Sequence, residues 1–205
     1  MPCLDARRKK KIFSTCENQF DFFTDAINTL LSNPAYKLLE ILTVPILPEK
    51  TKEFSTDTWE GLEKRLFQMS ISNSNGAKIN WQIRPSSKFS NKTLGNILIS
   101  RGPDDEKSFG GPHKFRKFCE KEMYTERFTA RFQQFRSGDK FNNNPKSMSL
   151  LRNSAGFLDS FEVISGKANS MFSNKAYLYQ YEKYGLEYAD FVESLADFEK
   201  IISSY

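Results

Sequence analysis

Cys16 and His113 are the residues of this chain best suited to covalent chemistry, because one carries a thiol and the other an imidazole. Cys16 lies where a helix is expected to begin, and the free amides of a helix N-terminus stabilise a thiolate. His113, the single histidine, follows a Gly-Gly-Pro turn and could serve as the base of that thiol, with Asp139, Asn142 or Asn143 orienting the imidazole. These residues define a Cys-His hydrolase hypothesis. The alternative, which the sequence favours, is a helix cysteine packed inward and a loop histidine in water.

The rest of the sequence contains no recognisable motif for binding a metal or a cofactor. Three cysteines and one histidine among 205 residues match no zinc-ligand spacing. The glycine-rich loops that cradle nucleotide phosphates and the paired histidines of zinc hydrolases are also missing from the sequence. We therefore predict no metal site and no cofactor, and the sequence favours a binding protein over an enzyme.

Positive charge is the feature that points to a partner. The chain has a net charge of +5 and a pI near 9.0, with a basic block close to its start. Lysine and arginine neutralise phosphates, and neighbouring aromatic rings can stack on unpaired bases. We therefore predict a non-enzymatic protein that binds RNA or another polyanion. The candidate contacts are Arg7, Arg8, Lys9, Lys10, Lys11, Lys114, Lys117 and Lys121.

The central stretch 114–136 mixes phenylalanine with charges of both signs. Read as one helix, Phe115 and Phe118 share a face with Met123, while Phe128, Phe132 and Phe135 point to another side. The spacing therefore predicts a central helix that is bent or buried on two sides. A core helix with a solvated surface and a phosphate-binding helix both remain open.

Hydrophobic spacing predicts the other elements. Helical spacing is seen over 14–31, 35–43, 57–69, 150–158 and 187–202, whereas strands are expected at 77–84, 94–100 and 161–164. The fold class predicted is α+β and helix-dominated, with amphipathic helices packed around a small antiparallel sheet. Residues 1–12 are expected to form a basic flexible arm, and residues 13–205 a single globular domain.

The end of the chain suggests a second kind of partner. Over 182–200 six acids face two lysines, so the last helix offers an acidic face to a protein partner or to a second copy. No apolar run is long enough to span a membrane. We expect an intracellular, cytoplasmic protein, with nuclear import through Arg7–Lys11 if the cell is eukaryotic. Abundant phenylalanine, lysine, asparagine and serine suggest a host-interaction protein of a virus or an intracellular bacterium as a further alternative.

Overall fold

The computed structural model describes residues 19–31, 33, 35–46, 58–72, 79–83, 92–103, 115–125 and 131–205. The strands in these ranges are β1 (Leu39–Val44), β2 (Thr93–Arg101), β3 (Arg131–Ser137) and β4 (Ser147–Ser154). The α-helices are α1 (Gln19–Leu30), α2 (Trp59–Ser72), α3 (Leu158–Ser173), α4 (Leu178–Glu182) and α5 (Tyr188–Ser204). Short 3-10 turns span Arg116–Cys119, Lys121–Met123 and Ala155–Phe157.

The four strands form one sheet in the order β1-β4-β2-β3. β4 is antiparallel to both β1 and β2, whereas β2 and β3 are parallel. The predicted α+β class is therefore confirmed, but the predicted antiparallel sheet is wrong, because the sheet is mixed. A parallel pair needs a long crossover between its strands, and the chain between β2 and β3 supplies one. That helices dominate the chain as a whole stays a prediction.

One face of the sheet carries the main core. Leu42, Leu150 and Leu98 lie side by side on β1, β4 and β2, and all three are buried. α2 covers this row with Leu62, Leu66 and Met69, whose spacing of three and four residues places them on one side of the helix. The burial of α2 against the sheet thus explains why its helical spacing was readable in the sequence.

The opposite face is covered in part by α1. Ala26 and Leu30 of this helix pack against Ile97 of β2. A Cβ built on Gly95 would lie 2.3 Å from the carbonyl oxygen of Thr29, so only glycine lets helix and strand come this close. The Asn153 amide donates a hydrogen bond of 2.8 Å to the Leu30 carbonyl and satisfies the end of the helix.

The sheet and α1 belong to one compact unit, Leu39–Ser154 with the preceding helix. A second, helical unit consists of Asn33–Leu38 and Ala155–Tyr205. α3 and α5 pack against each other within it. The predicted single domain over 13–205 stays a prediction, and the predicted basic arm over 1–12 lies outside the described residues.

Two predicted helices are strands in the structure. The stretch predicted as helix 35–43 contains β1, in which Glu40, Leu42 and Val44 point inward and alternate with more exposed residues. The stretch predicted as helix 150–158 belongs largely to β4. Both contain short apolar runs that suit either structure, and pairing between the two strands decides in favour of the sheet. Conversely, the strand predicted at 161–164 lies inside α3.

The strand predicted at 77–84 does not form over its described part, residues 79–83. The side-chain amide of Gln68 donates hydrogen bonds to the carbonyls of Asn80 and Ile83, at 2.6 and 3.0 Å. These carbonyls thus bond to α2 instead of to a neighbouring strand. Trp81 is 53% exposed, whereas Ile79 and Ile83 are half-buried and pack against the main core, so the alternation marks partial burial without strand pairing.

The predicted central helix 114–136 is also wrong. Phe115 has a left-handed backbone (φ 64°), and the 3-10 turns that follow are broken at Glu120, whose backbone is extended. Further along, the chain enters β3 beside β2. Of the two apolar sets, Phe118 and Met123 therefore lie in the 3-10 turns, whereas Phe132 and Phe135 lie on β3. The helices predicted near 14–31, 57–69 and 187–202 and the strand at 94–100 are confirmed as α1, α2, α5 and β2.

Candidate protein-interaction surface

Aromatic side chains hold the helical unit together. The ring centroids of Phe161 on α3 and Phe198 on α5 are 5.3 Å apart. Toward the other end of the pair, the centroid of Phe172 lies 4.7 Å from that of Tyr188. The Asn169 amide donates a hydrogen bond of 2.9 Å to the Glu199 carboxylate between them. These contacts fix α3 and α5 side by side.

The first turn of α5 is closed by a capping box. The Glu187 backbone N–H donates a hydrogen bond of 2.8 Å to Asp190 Oδ2, and the Glu187 side chain accepts one from the backbone of Asp190. Such a box satisfies amides that a helix start leaves free. It also sets the direction in which the chain enters α5 from the turn after α4.

Five tyrosines occupy the twelve residues around this turn, and we call them the tyrosine surface: Tyr177, Tyr179, Tyr181, Tyr184 and Tyr188. All five are exposed, and Tyr184 is 84% exposed. Tyr181 and Tyr188 nevertheless each contact another ring, since the Tyr181 centroid lies 5.4 Å from that of Phe191 and the centroid of the tilted Tyr188 ring lies 4.7 Å from that of Phe172. The surface is therefore partly held in place from within the unit.

The last residue of the sequence ties down the short segment that belongs to this unit. The Tyr205 hydroxyl accepts a hydrogen bond of 2.7 Å from the Leu38 backbone N–H and donates one of 3.5 Å to the Leu38 carbonyl. The Tyr205 ring meets that of Tyr36 edge-on, with 5.1 Å between centroids. Tyr205 thus joins the end of α5 to residues 36–38.

A buried charge network lies inside the sheet unit. Arg152 of β4 is fully buried and its Nε is 2.5 Å from Glu40 Oε2 on β1. Arg152 Nη1 donates to the Ser70 carbonyl at 2.6 Å, where a cation suits the C-terminal end of α2. The Ser154 hydroxyl donates to the same Glu40 oxygen at 3.1 Å. Because Arg152 has no exposed surface, this network joins β1, β4 and α2 and is closed to a ligand.

Tyr124 is a second buried polar residue, just after the 3-10 turns. Its hydroxyl donates to the Phe118 carbonyl at 2.7 Å and accepts from the Asn96 amide at 3.2 Å. Burial raises the pKa of the Tyr124 hydroxyl well above its ordinary value, and the Asn96 hydrogen bond opposes this only in part. The neutral hydroxyl therefore serves to anchor the turns to β2.

Of the residues predicted to bind a polyanion, the structure describes two. Lys117 and Lys121 lie exposed on successive 3-10 turns, and Lys117 Nζ is 5.7 Å from the ring centroid of Phe67. The other six, Arg7–Lys11 and Lys114, lie outside the described residues. The arrangement of the predicted set as a whole therefore lies outside the described residues.

Of the hydrolase residues Cys16, His113 and Asp139, the structure describes only Asp139. Cys16 and His113 lie outside the described residues. Asp139 is exposed in the turn after β3, where it accepts a hydrogen bond of 3.1 Å from the Ser137 hydroxyl. In the described part of the chain, no three histidine, cysteine or acidic residues lie close enough together to hold a metal ion. None of the described helices has the length and apolar character to cross a membrane.

The described residues thus form an α+β protein in which the tyrosine surface lies on the unit that contains the packed helices α3 and α5. Comparison with known sequences shows which proteins this chain resembles. The chain is similar to proteins named tubulin delta chain: it is 34% identical to that of Canis lupus familiaris over an alignment of 210 residues that covers 93% of this chain. It is 31% identical to that of Homo sapiens over an alignment of 203 residues that covers 88% of this chain.

The match covers only part of each relative. It spans 45% of the Canis lupus familiaris protein and 43% of the Homo sapiens protein, so the chain spans less than half the length of the curated relatives it matches. No family model matches the chain.

These relatives overturn the predicted function and partners. The protein is not an RNA-binding or polyanion-binding protein, because relatives at 30 to 34% identity over most of the chain are all named tubulin delta chain. The same finding contradicts the viral or bacterial host-interaction protein, whereas the Cys-His hydrolase residues stay a prediction.

Sequence reasoning missed the tyrosine surface as a functional feature. The signal was present, since tyrosine occurs at every second or third position from 177 to 184. That spacing fits neither a helix nor a strand over its full length, so it predicts no single element. A cluster of tyrosine is itself typical of protein interfaces, and this composition was the observation to use.

Proposed function

We propose that the chain is a tubulin-type cytoskeletal protein, or part of one, built on a helix-dominated α+β fold. It acts by associating with tubulin or with microtubules. The relatives are named tubulin delta chain, and their alignments cover most of this chain. That similarity is the observation that carries the proposal.

The exposed apolar side chains of the sheet unit support a role in assembly. On β1, Ile41 is 69% exposed although it lies in a strand, and Leu39 on the same side is also exposed. On α1, which packs against β2 and β3, Ile27 is exposed as well. Clusters of exposed apolar residues are typical of surfaces that contact another protein. We propose that this side of the sheet is covered in the assembled protein.

A cytoskeletal role also determines where the protein should be found. We propose an intracellular, cytoplasmic location that follows tubulin. Nuclear import through Arg7–Lys11 is a separate proposal. Imaging the tagged chain and a variant in which these five residues are replaced by glutamine separates the two locations.

The test of the proposed function is direct binding. The purified chain is incubated with purified tubulin and with polymerised microtubules, and association is followed by analytical ultracentrifugation and co-sedimentation. We expect the chain to change the sedimentation of tubulin or to pellet with microtubules. The variant Ile41→Glu, at an exposed position, should fold but bind more weakly. The matched control Val163→Glu carries the same charge at an exposed position on α3.

Two results would contradict the proposal. The first is a folded chain that associates with neither tubulin nor microtubules. The second is equal loss of binding for Ile41→Glu and Val163→Glu, which would remove the support that the β1 side gives to assembly.

A further inference from the structure

We propose that the tyrosine surface is a docking site for an arginine-rich segment of a protein partner. This inference goes beyond the tubulin-related role, because it concerns one surface and one kind of partner chemistry. It rests on three observations about residues 177–193: the exposure of the tyrosine rings, the anchoring of the backbone that carries them, and the charge of the segment.

Exposure distinguishes these tyrosines from ordinary surface residues. Tyr184 and Tyr179 are 84% and 69% exposed, and Tyr177, Tyr181 and Tyr188 are each about half exposed. Each ring presents a large apolar face to water, and such faces concentrate binding energy at protein interfaces. Five of them within one short segment make a surface that gains free energy when a partner covers it.

The backbone beneath the tyrosine surface is well anchored. Leu178 is buried between the exposed Tyr177 and Tyr179, so it fixes the start of α4. Tyr177 itself has a left-handed backbone with φ 62°, which is unusual for a bulky residue and is kept only where the surroundings require it. The Glu187–Asp190 capping box holds the other end. A pre-organised surface loses little conformational entropy when it binds.

The charge of the same segment selects the partner. Residues 177–193 contain four acids, Glu182, Glu187, Asp190 and Glu193, against one lysine, Lys183, and all five are exposed. This surface repels phosphates and attracts cations. Arginine satisfies both chemistries present, because its guanidinium pairs with carboxylates and stacks flat on aromatic rings. The geometry therefore favours arginine over lysine, and a protein segment over a nucleic acid.

The test measures binding of a labelled, flexible arginine-rich peptide to the whole chain by fluorescence anisotropy at low salt. A peptide with lysine at every arginine position serves as the matched probe. We expect the arginine peptide to bind about tenfold more tightly than the lysine peptide, because ammonium groups do not stack on the rings in the same way. Raising the salt concentration should weaken both peptides.

Variants of the two most exposed rings separate stacking from charge. Tyr179→Ala with Tyr184→Ala should weaken the arginine peptide by about tenfold and leave the lysine peptide nearly unchanged. Tyr179→Phe with Tyr184→Phe should restore tight binding, because the aromatic faces remain. Trp81→Ala, an exposed ring in the sheet unit, is the matched control and should change nothing.

Three outcomes would overturn the docking proposal: no binding of the arginine peptide, equal affinity for both peptides, or an equal effect of Trp81→Ala and the tyrosine variants. None of these depends on tubulin. The failure of this proposal and the failure of the proposed function are therefore distinguishable.

Discussion

Arg152 shows how a single residue can join three elements. Its side chain is fully buried, which is costly for a charge unless each donor finds an acceptor. Glu40 and the Ser70 carbonyl provide these acceptors from β1 and α2. The residue type alone would have suggested a surface position, because arginine is rarely buried without a partner.

Replacing Arg152 should therefore be among the more damaging single changes. Arg152→Met leaves the Glu40 carboxylate buried without its cation, and we expect a loss of about 3–5 kcal/mol in the free energy of unfolding. The double variant Arg152→Met with Glu40→Leu should lose less, because no buried charge is left. Urea unfolding of the wild type and the variants measures this, and a double variant as unstable as Arg152→Met would contradict it.

Tyr124 gives a prediction about pH. Its folded-state pKa is raised above the ordinary 10.0, so the folded protein keeps this proton at pH values where the unfolded chain has lost it. The stabilisation is present below pH 10 and is lost as the pH rises further. Above pH 10 we expect Tyr124 to add a loss of about 1.4 kcal/mol per pH unit to the unfolding free energy.

Tyr124→Phe removes this ionisation and is the control for the other groups that titrate in alkali. The variant should be less stable than the wild type near neutral pH by about 1–3 kcal/mol, since Asn96 and the Phe118 carbonyl lose their partner. Its stability should then fall less steeply above pH 10. The unfolding free energy of both proteins is measured by urea unfolding at a series of pH values. If it falls equally steeply with pH in both, Tyr124 does not ionise on unfolding.

At the scale of elements, two glycines form a matched pair. Gly95 lies on β2 where a Cβ would meet the Thr29 carbonyl of α1, whereas Gly166 lies on α3 with open space around it. Gly95→Ala should destabilise the protein by about 1–3 kcal/mol through overpacking. Gly166→Ala should stabilise it by about 0.5–1 kcal/mol, because alanine favours a helix. Thermal unfolding distinguishes the two, and shifts of the same sign would contradict the close approach of α1.

The start of α2 tests a smaller local contribution. The Thr58 hydroxyl accepts a hydrogen bond of 3.2 Å from the Gly61 backbone N–H and so caps the helix. Thr58→Ala should lower the unfolding free energy by about 1 kcal/mol, whereas Thr58→Ser, which keeps the hydroxyl, should change it little. Urea unfolding measures both variants, and equal losses would show that the cap contributes nothing.

At the scale of the whole molecule, the two units differ in burial and in charge. The sheet unit contains the buried rows of Leu42, Leu98 and Leu150, whereas no residue of α5 is fully buried. The helical unit has eight acids and five lysines in a chain whose total charge is +5, so the excess of positive charge lies elsewhere.

This difference predicts uneven local stability. We expect amide hydrogen exchange to be slowest in β4 and β2 and clearly faster in α5, because opening the hairpin exposes little core. Mass spectrometry of the exchanging protein, with fragments assigned to each element, measures this. Equal protection of α5 and β4 would show that α5 is covered more completely than its exposed side chains indicate.

The elements that could be predicted from the sequence are those in which the local hydrophobic pattern matches the side that the fold buries. α1, α2 and α5 bury one side of a helix, and the 3.6-residue spacing records this directly. β2 was also readable, since its apolar run is too short for most helices and is bounded by polar turns. The capping residues Glu187 and Asp190 likewise act within one turn, where local sequence decides.

Only the tertiary structure decided β1, β3 and β4, and with them the mixed sheet. Leu42 pairs with Leu150, and Phe132 lies beside Asn96, so the partners that stabilise these strands are far away in the sequence. Short apolar runs such as 39–44 fit a helix or a strand locally, and hydrogen bonding to a distant strand resolves the choice. The tyrosine surface also depends on tertiary contacts. The sequence does not show that Leu178 is buried while the tyrosines around it are exposed, or that Tyr181 and Tyr188 contact other rings.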